Sequence, residues 1–86
     1  MTWLYMVSTR KGGIYTGITN DLVRRIAEHR NGSPNASKYI KQYRFGQLIY
    51  AVEYPTRADA MRAERAVKGL SRQEKLDLAT STPLKQ

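Results

Sequence analysis

The 86-residue chain predicts an α/β fold, a small three-stranded antiparallel sheet flanked by helices.

 Three observations carry that reading. Two short aromatic and apolar runs flank a glycine-bearing turn, a third apolar run alternates with period two, and the remaining apolar residues recur at three-and-four spacing behind capping residues. A chain of this length buries roughly 60–65% of its unfolded surface, enough for one core and one site. The expected organisation is a single domain over residues 1–80, with a frayed tail over 81–86.

Trp3 to Ser8 and Ile14 to Ile18 read as the strands of a hairpin whose loop is Thr9-Arg10-Lys11-Gly12-Gly13. Alternation puts Trp3, Tyr5 and Val7 on one face of the first strand and Tyr15 with Gly17 on one face of the second. In a matching register Tyr5 and Tyr15 share a face. Thr19 or Asn20 caps the next helix, Asp21 sits in the first turn where the helix dipole favours an acid, and Gly32 closes it. Leu22, Val23, Ile26 and Ala27 supply its buried side, and Arg25 and His29, four apart, lie together on an adjacent one. Asn31 to Asn35 is a loop on turn chemistry. A short helix within Ala36 to Arg44 then carries Lys38, Lys41 and Arg44 interleaved with Tyr39 and Tyr43.

Gln47 to Tyr54 is the third strand, with Leu48, Tyr50, Val52 and Tyr54 on one face and Ile49 and Ala51 on the other. Apolar groups on both faces predict a central strand covered by helices on both sides. Thr56 opens the next helix with Asp59 as its acidic capping partner, and Gly69 stops it. Ala60, Ala63, Val67 and Leu70 form its core-facing stripe, and Glu64 borders that stripe. A charge there is costly unless it is paired or holds a cation, and Lys68, one turn on, is the plain partner. Ser71-Arg72-Gln73-Glu74 is a capping box for a last helix through about Ala79.

Fifteen Lys and Arg against seven Asp and Glu give a net charge of +8, spread along most of the chain. A positive field of this kind favours polyanions through counterion release, so nucleic acid, DNA first, is the expected partner. The absence of cysteine excludes a disulfide framework and a thiolate zinc site, and a single histidine excludes a histidine-cluster site. Any catalytic metal is therefore a hard ion on oxygen ligands. Met1 to Tyr15 has no signal pattern, and no apolar run approaches the roughly 20 residues that a bilayer requires, so the expectation is a soluble, cytoplasmic protein without a membrane partner.

Phosphodiester cleavage requires a group that activates water, a cation on the attacked phosphate and stabilisation of the leaving oxygen. Glu64 is the candidate metal ligand, because one carboxylate plus waters suits Mg²⁺, with Mn²⁺ as the alternative ion. Arg25 presents a planar fork to phosphate oxygens, and Tyr5, Tyr15 and His29 are candidates for positioning or deprotonating the water. Each has a plainer explanation. Tyrosines on a small sheet serve as core-edge aromatics, His29 suits the end of a helix dipole, and Arg24 with Arg25 suits a solvated face.

Order and spacing add weight to the catalytic reading. Leu4-Tyr5-Met6, then Tyr15-Thr16-Gly17, then Thr19-Asn20-Asp21-Leu22 leading to Arg25 and His29, and finally Ala60-Met61-Arg62-Ala63-Glu64 with Lys68, together resemble the GIY-YIG endonuclease superfamily. The likeness is greatest to its small, single-domain bacterial members and spans Trp3 to Leu78. Gly13-Ile14-Tyr15 spells the first family motif literally, yet by position Tyr15-Thr16-Gly17 stands for the second motif and Leu4-Tyr5-Met6 for the first. The resemblance implies Tyr5 as general base or water-positioning group, Tyr15 as its partner, Arg25 on the phosphate, His29 in a supporting acid–base or orienting role, and Glu64 as metal ligand.

Two positions depart from the pattern. Some family endonucleases carry a further histidine where this chain has Ser37 and Lys38, and a site asparagine near the C-terminus has no counterpart here. The expected function is a Mg²⁺-dependent endonuclease on DNA, structure-directed or weakly specific, in repair or processing, with any sequence targeting supplied by a protein partner. Arg24, Lys38, Tyr39, Lys41 and Arg44 are the expected nucleic-acid contacts. The rival reading is a non-catalytic binder of nucleic acid, RNA included, and a second rival is an adaptor docking on another repair or ribosomal protein.

Overall fold

The computed structural model describes residues 1–82. Along the chain they form β1 (Thr2–Thr9), β2 (Ile14–Thr19), α1 (Leu22–Arg30), α2 (Lys38–Tyr43), β3 (Phe45–Tyr54), α3 (Arg57–Lys68) and α4 (Arg72–Ser81). The three strands make one antiparallel sheet in the order β2-β1-β3, which is the α/β arrangement expected. Gly12, at φ +94, makes the turn between β1 and β2 that a side chain would resist. Of the tail expected to fray, Ser81 is the last residue of α4, and residues 83–86 lie outside the described residues.

Alternation along β1 divides the core into two layers. Leu4 and Met6 point to one side, where Tyr50 and Val67 complete the buried cluster and Ala63, Leu78 and Ala79 pack from α3 and α4. Tyr5 and Val7 point to the other, where they meet Ile26 of α1 and Ile40 of α2. The sheet is thus covered on both faces. Leu4, Tyr5, Met6 and Val7 are each at most 1% exposed, so the middle of β1 is the most enclosed segment among the described residues.

Several expectations are corrected. The central strand is β1, and β3 lies at an edge. Apolar groups on both faces report how many layers cover a sheet, and an edge strand between two helical layers carries them as readily as a central one. Leu48 does not share a face with Tyr50, because the register shifts between Met6 and Val7 and carries Leu48 into the cluster of Tyr5 and Val7. The cap of α1 is Asp21, whose side chain accepts from the Arg24 backbone N–H, while Thr19 receives the Asp21 N–H one step earlier. Val23 is 83% exposed and forms no part of the buried side.

Caps account for the ends of the other helices. Ser37 accepts from the Ile40 N–H at the start of α2, and Thr56 accepts from the Asp59 N–H at the start of α3. Ser71 and Glu74 form a reciprocal capping box on α4, and accepting those bonds holds the Glu74 carboxyl below its ordinary pKa.

Candidate active site

With Val23 turned to solvent, the inward stripe of α1 is Leu22, Arg25, Ile26 and His29, the i, i+3, i+4, i+7 pattern of a core-facing helix side. Two polar residues thus occupy half of that stripe, and they meet the sheet face that carries the tyrosines. Trp3 to Ser8 of β1 pair antiparallel with Ile14 to Thr19 of β2, with Tyr5 opposite Gly17 and Val7 opposite Tyr15. Tyr5 and Tyr15 are therefore diagonal neighbours on one face, their ring centroids 6.2 Å apart.

Gly17 explains how two tyrosines fit there. A Cβ at this position would stand 2.8 Å from the Tyr5 hydroxyl oxygen and 3.0 Å from the Tyr15 ring, so the Tyr5 phenol lies across the bare backbone of its cross-strand partner. The hydroxyl end then reaches His29, with Oη 2.9 Å from Nε2. The imidazole packs edge-on to Tyr15 at 5.5 Å between centroids and beside Tyr5 at 5.8 Å.

Arg25 completes the group from one turn before His29. Its guanidinium donates to the Glu28 carboxylate at 3.0 Å and to the backbone carbonyl of Asn35 in the loop after α1. Burial works against its charge, but Glu28 and the nearby Tyr5 outweigh that effect and hold its pKa up. In return Arg25 draws the Glu28 carboxyl below its ordinary value. Burial raises the Tyr5 hydroxyl pKa well above the ordinary phenol, Tyr15 adds to the rise, and Arg25 opposes it. Burial also lowers His29, to about 4, with the positive Arg25 second. At neutral pH the pair is therefore an uncharged phenol against an uncharged imidazole.

The structure thus brings together Tyr5, Tyr15, Arg25 and His29. Glu64 is carried by α3, whose Ala63 and Val67 pack on the Leu4 and Met6 side of the sheet, the face opposite Tyr5 and Tyr15. Its carboxylate is 3.4 Å from Lys68 Nζ, its ion-pair partner among the described residues. Glu64 is partly buried, and the described residues contain no group of three or more His, Cys, Asp or Glu that could hold a metal ion. A fully protein-ligated cation does not fit this donor set. A hydrated Mg²⁺ or Mn²⁺ held by the single carboxylate does, once Lys68 yields its place.

Of the expected nucleic-acid contacts, Tyr39 lies in the aromatic cluster, beside Tyr43, and the four cations lie at the surface. Tyr39 and Tyr43 of α2 extend the aromatic cluster outward, with ring centroids 6.0 Å from Tyr15 to Tyr39 and 4.6 Å from Tyr39 to Tyr43. The Tyr39 hydroxyl lies where Gly13 leaves room for it. Arg24, Lys38, Lys41 and Arg44 are exposed. The sequence reading passed over Asn35, whose carbonyl fixes Arg25, and over Arg10, Arg30 and Phe45, which come together around a cavity beside His29. No local pattern signals those residues, because they lie on separate elements.

Comparison with known proteins agrees with this architecture. The GIY-YIG catalytic domain matches residues 1–77. A UPF0213 protein of Staphylococcus saprophyticus is 38% identical over 76 residues, covering 88% of this chain and 90% of that protein. One of Xanthomonas axonopodis pv. citri is 40% identical over 80 residues, covering 93% and 76%. The solution NMR structure of a UPF0213 protein from Bacillus halodurans is similar with a TM-score of 0.58 at 34% identity, covering 94% of this chain and 85% of that one.

Proposed function

The chain belongs to the GIY-YIG catalytic domain family, and from that premise we propose that it is a metal-dependent endonuclease that hydrolyses phosphodiester bonds in nucleic acid, DNA first, reading strand structure more than base sequence. The observation that carries the proposal is the Tyr5–His29 hydrogen bond at 2.9 Å, set between the Tyr15 ring and the Arg25 guanidinium. A buried phenol tied to a neutral imidazole, with a fixed guanidinium beside it, is a proton-handling pair next to a phosphate-binding group.

Roles follow from exposure. Tyr15 is only half-buried and is the hydroxyl that meets water and substrate, whereas Tyr5 is 1% exposed and acts through Tyr15 and His29. The hydrogen bond between Tyr5 Oη and His29 Nε2 orients the phenol and the imidazole against each other. Arg25, already held by Glu28 and the Asn35 carbonyl, offers its remaining N–H groups to the non-bridging phosphate oxygens. Glu64 is the residue that would hold Mg²⁺ or Mn²⁺, and its helix α3 packs against β1 and against β2, the edge strand that carries Tyr15. When bound, the ion supplies a positive charge for the developing negative charge of the reaction.

The test is a panel of single strands, duplexes, flaps and branched junctions with Mg²⁺, with Mn²⁺ and with chelator. Metal-dependent nicking that Glu64→Ala abolishes, while salt-sensitive binding persists, is the expected result. A second reading, a non-catalytic binder, draws on the aromatic run from Tyr15 through Tyr39 to Tyr43, a stacking surface for unpaired bases. It takes over if every substrate stays whole at saturating metal.

A further inference from the structure

Beside His29 lies a second feature that the family roles leave unused. A cavity of about 360 Å³ is lined by His29, Ile40, Phe45 and four cationic side chains, Arg10, Arg30, Lys41 and Arg44. That volume lies within the range of about 300–1,000 Å³ typical of small-ligand sites. No carboxylate lines it. Among the described residues none of the four cations is ion-paired, and Lys41 alone makes a side-chain hydrogen bond, to the Pro34 carbonyl. Concentrating like charges in this way is unfavourable unless an anion offsets it.

The wall is built to hold its shape. The Arg10 N–H donates to the Arg44 carbonyl at 2.9 Å and the Lys11 N–H to the Tyr43 carbonyl at 3.1 Å, which ties the β1–β2 turn to the end of α2. Arg30 lies over the Phe45 ring, 5.4 Å from its centroid. Arg44 is the one described residue other than glycine with positive φ, +70, a conformation that costs energy for any side chain. His29 supplies an independent sign of a ligand. It is 2% exposed, its Nε2 is engaged by Tyr5, and its Nδ1 is buried without a partner. A buried polar atom left unpaired is a cost that a bound group removes.

We propose that this cavity binds a phosphomonoester, with the dianionic phosphate against Arg10, Arg30 and Arg44 and one of its oxygens within reach of the His29 imidazole. A monoester is favoured over a backbone diester by the number of cations gathered around one small space, which exceeds what a single negative charge balances. Chemically the ligand is either the phosphorylated end of a strand or a free nucleotide. Because His29 touches both this cavity and Tyr5, the former makes it a product site, a consequence that rests on the nuclease reading; the binding itself does not.

The experiment uses full-length Glu64→Ala protein in chelator, so that its outcome is independent of cleavage. Affinities are measured for a short oligonucleotide with a terminal phosphate, for the same oligonucleotide with hydroxyl ends, and for a nucleoside monophosphate, while NMR follows the His29 ring nitrogens. The expected result is at least tenfold tighter binding of the phosphorylated oligonucleotide than of its hydroxyl-ended counterpart, with a shift at Nδ1. Arg10→Ala and Arg44→Gly each reduce that preference, and Arg44→Gly keeps the fold because glycine accepts φ +70. Arg62→Ala, on α3, leaves the preference intact. Tighter binding of the oligonucleotide than of the monophosphate assigns a strand end, and the reverse assigns a free nucleotide. Equal affinity for both oligonucleotides with no response to the monophosphate, or a preference untouched by Arg10→Ala and Arg44→Gly, overturns the site.

Discussion

Arg25 does two jobs at once, and its variants separate them. It secures the loop through Asn35 and offers charge beside Tyr5. Loss of one fixed charge-stabilising donor costs about 10²–10³ in rate, which is the expectation for Arg25→Ala under saturating metal. Arg25→Lys recovers little of it, since a single ammonium cannot reproduce the planar fork, and single-turnover cleavage checks both. His29 makes a different prediction, in stability. Its unfolded imidazole takes up a proton near pH 6.5 and the folded one only near 4, so between those values the unfolded chain binds more protons and stability rises with pH. The contribution is complete above 6.5 and is lost as pH falls toward 4. Thermal melts across that window should show a declining midpoint, and His29→Gln should flatten the decline.

At the level of elements, the β1–β2 pair is the part on which the site is mounted. Gly17→Ala would drive a methyl group into the Tyr5 hydroxyl and the Tyr15 ring, both on rigid strands. Overpacking of this kind costs about 1–3 kcal/mol, and displacement of the phenol breaks the bond to His29. Urea melts and the His29 nitrogen shifts should therefore change together, with a loss of cleavage larger than the loss of stability explains. This pairing was legible in the sequence, because two-residue alternation and a five-residue turn determine which tyrosines share a face. The edge position of β3 was not, since strand order depends on which strands meet after the chain has crossed the sheet. Nor was the buried side of α1: Val23 competes with Arg25 and His29 for the inward position, and what decides it is the pair of tyrosines and the Asn35 carbonyl waiting on the far side.

For the whole molecule, a charge of +8 predicts that binding to nucleic acid, on the proposed function, depends steeply on salt. Contact with about four phosphates lowers affinity by about a hundredfold between 50 and 200 mM salt. Fluorescence anisotropy at several salt concentrations measures that slope, and a flat response would remove the polyanion as partner. No helix among the described residues is long and apolar enough to cross a membrane. The candidate site was legible in outline as Tyr5, Tyr15, Arg25 and His29, whereas the packing of α3 on the opposite face of the sheet and the cavity around Arg10, Arg30 and Phe45 are products of tertiary assembly that spacing does not encode. The placement of Tyr5 on the innermost strand has a last consequence. Amide protons of β1, the central and most enclosed strand, should exchange with solvent later than those of the six-residue α2. Under mild denaturing conditions the packing of Tyr39 and Tyr43 should be lost well before the Tyr5–His29 hydrogen bond is disturbed, so that, on the proposed function, affinity fades first and chemistry last.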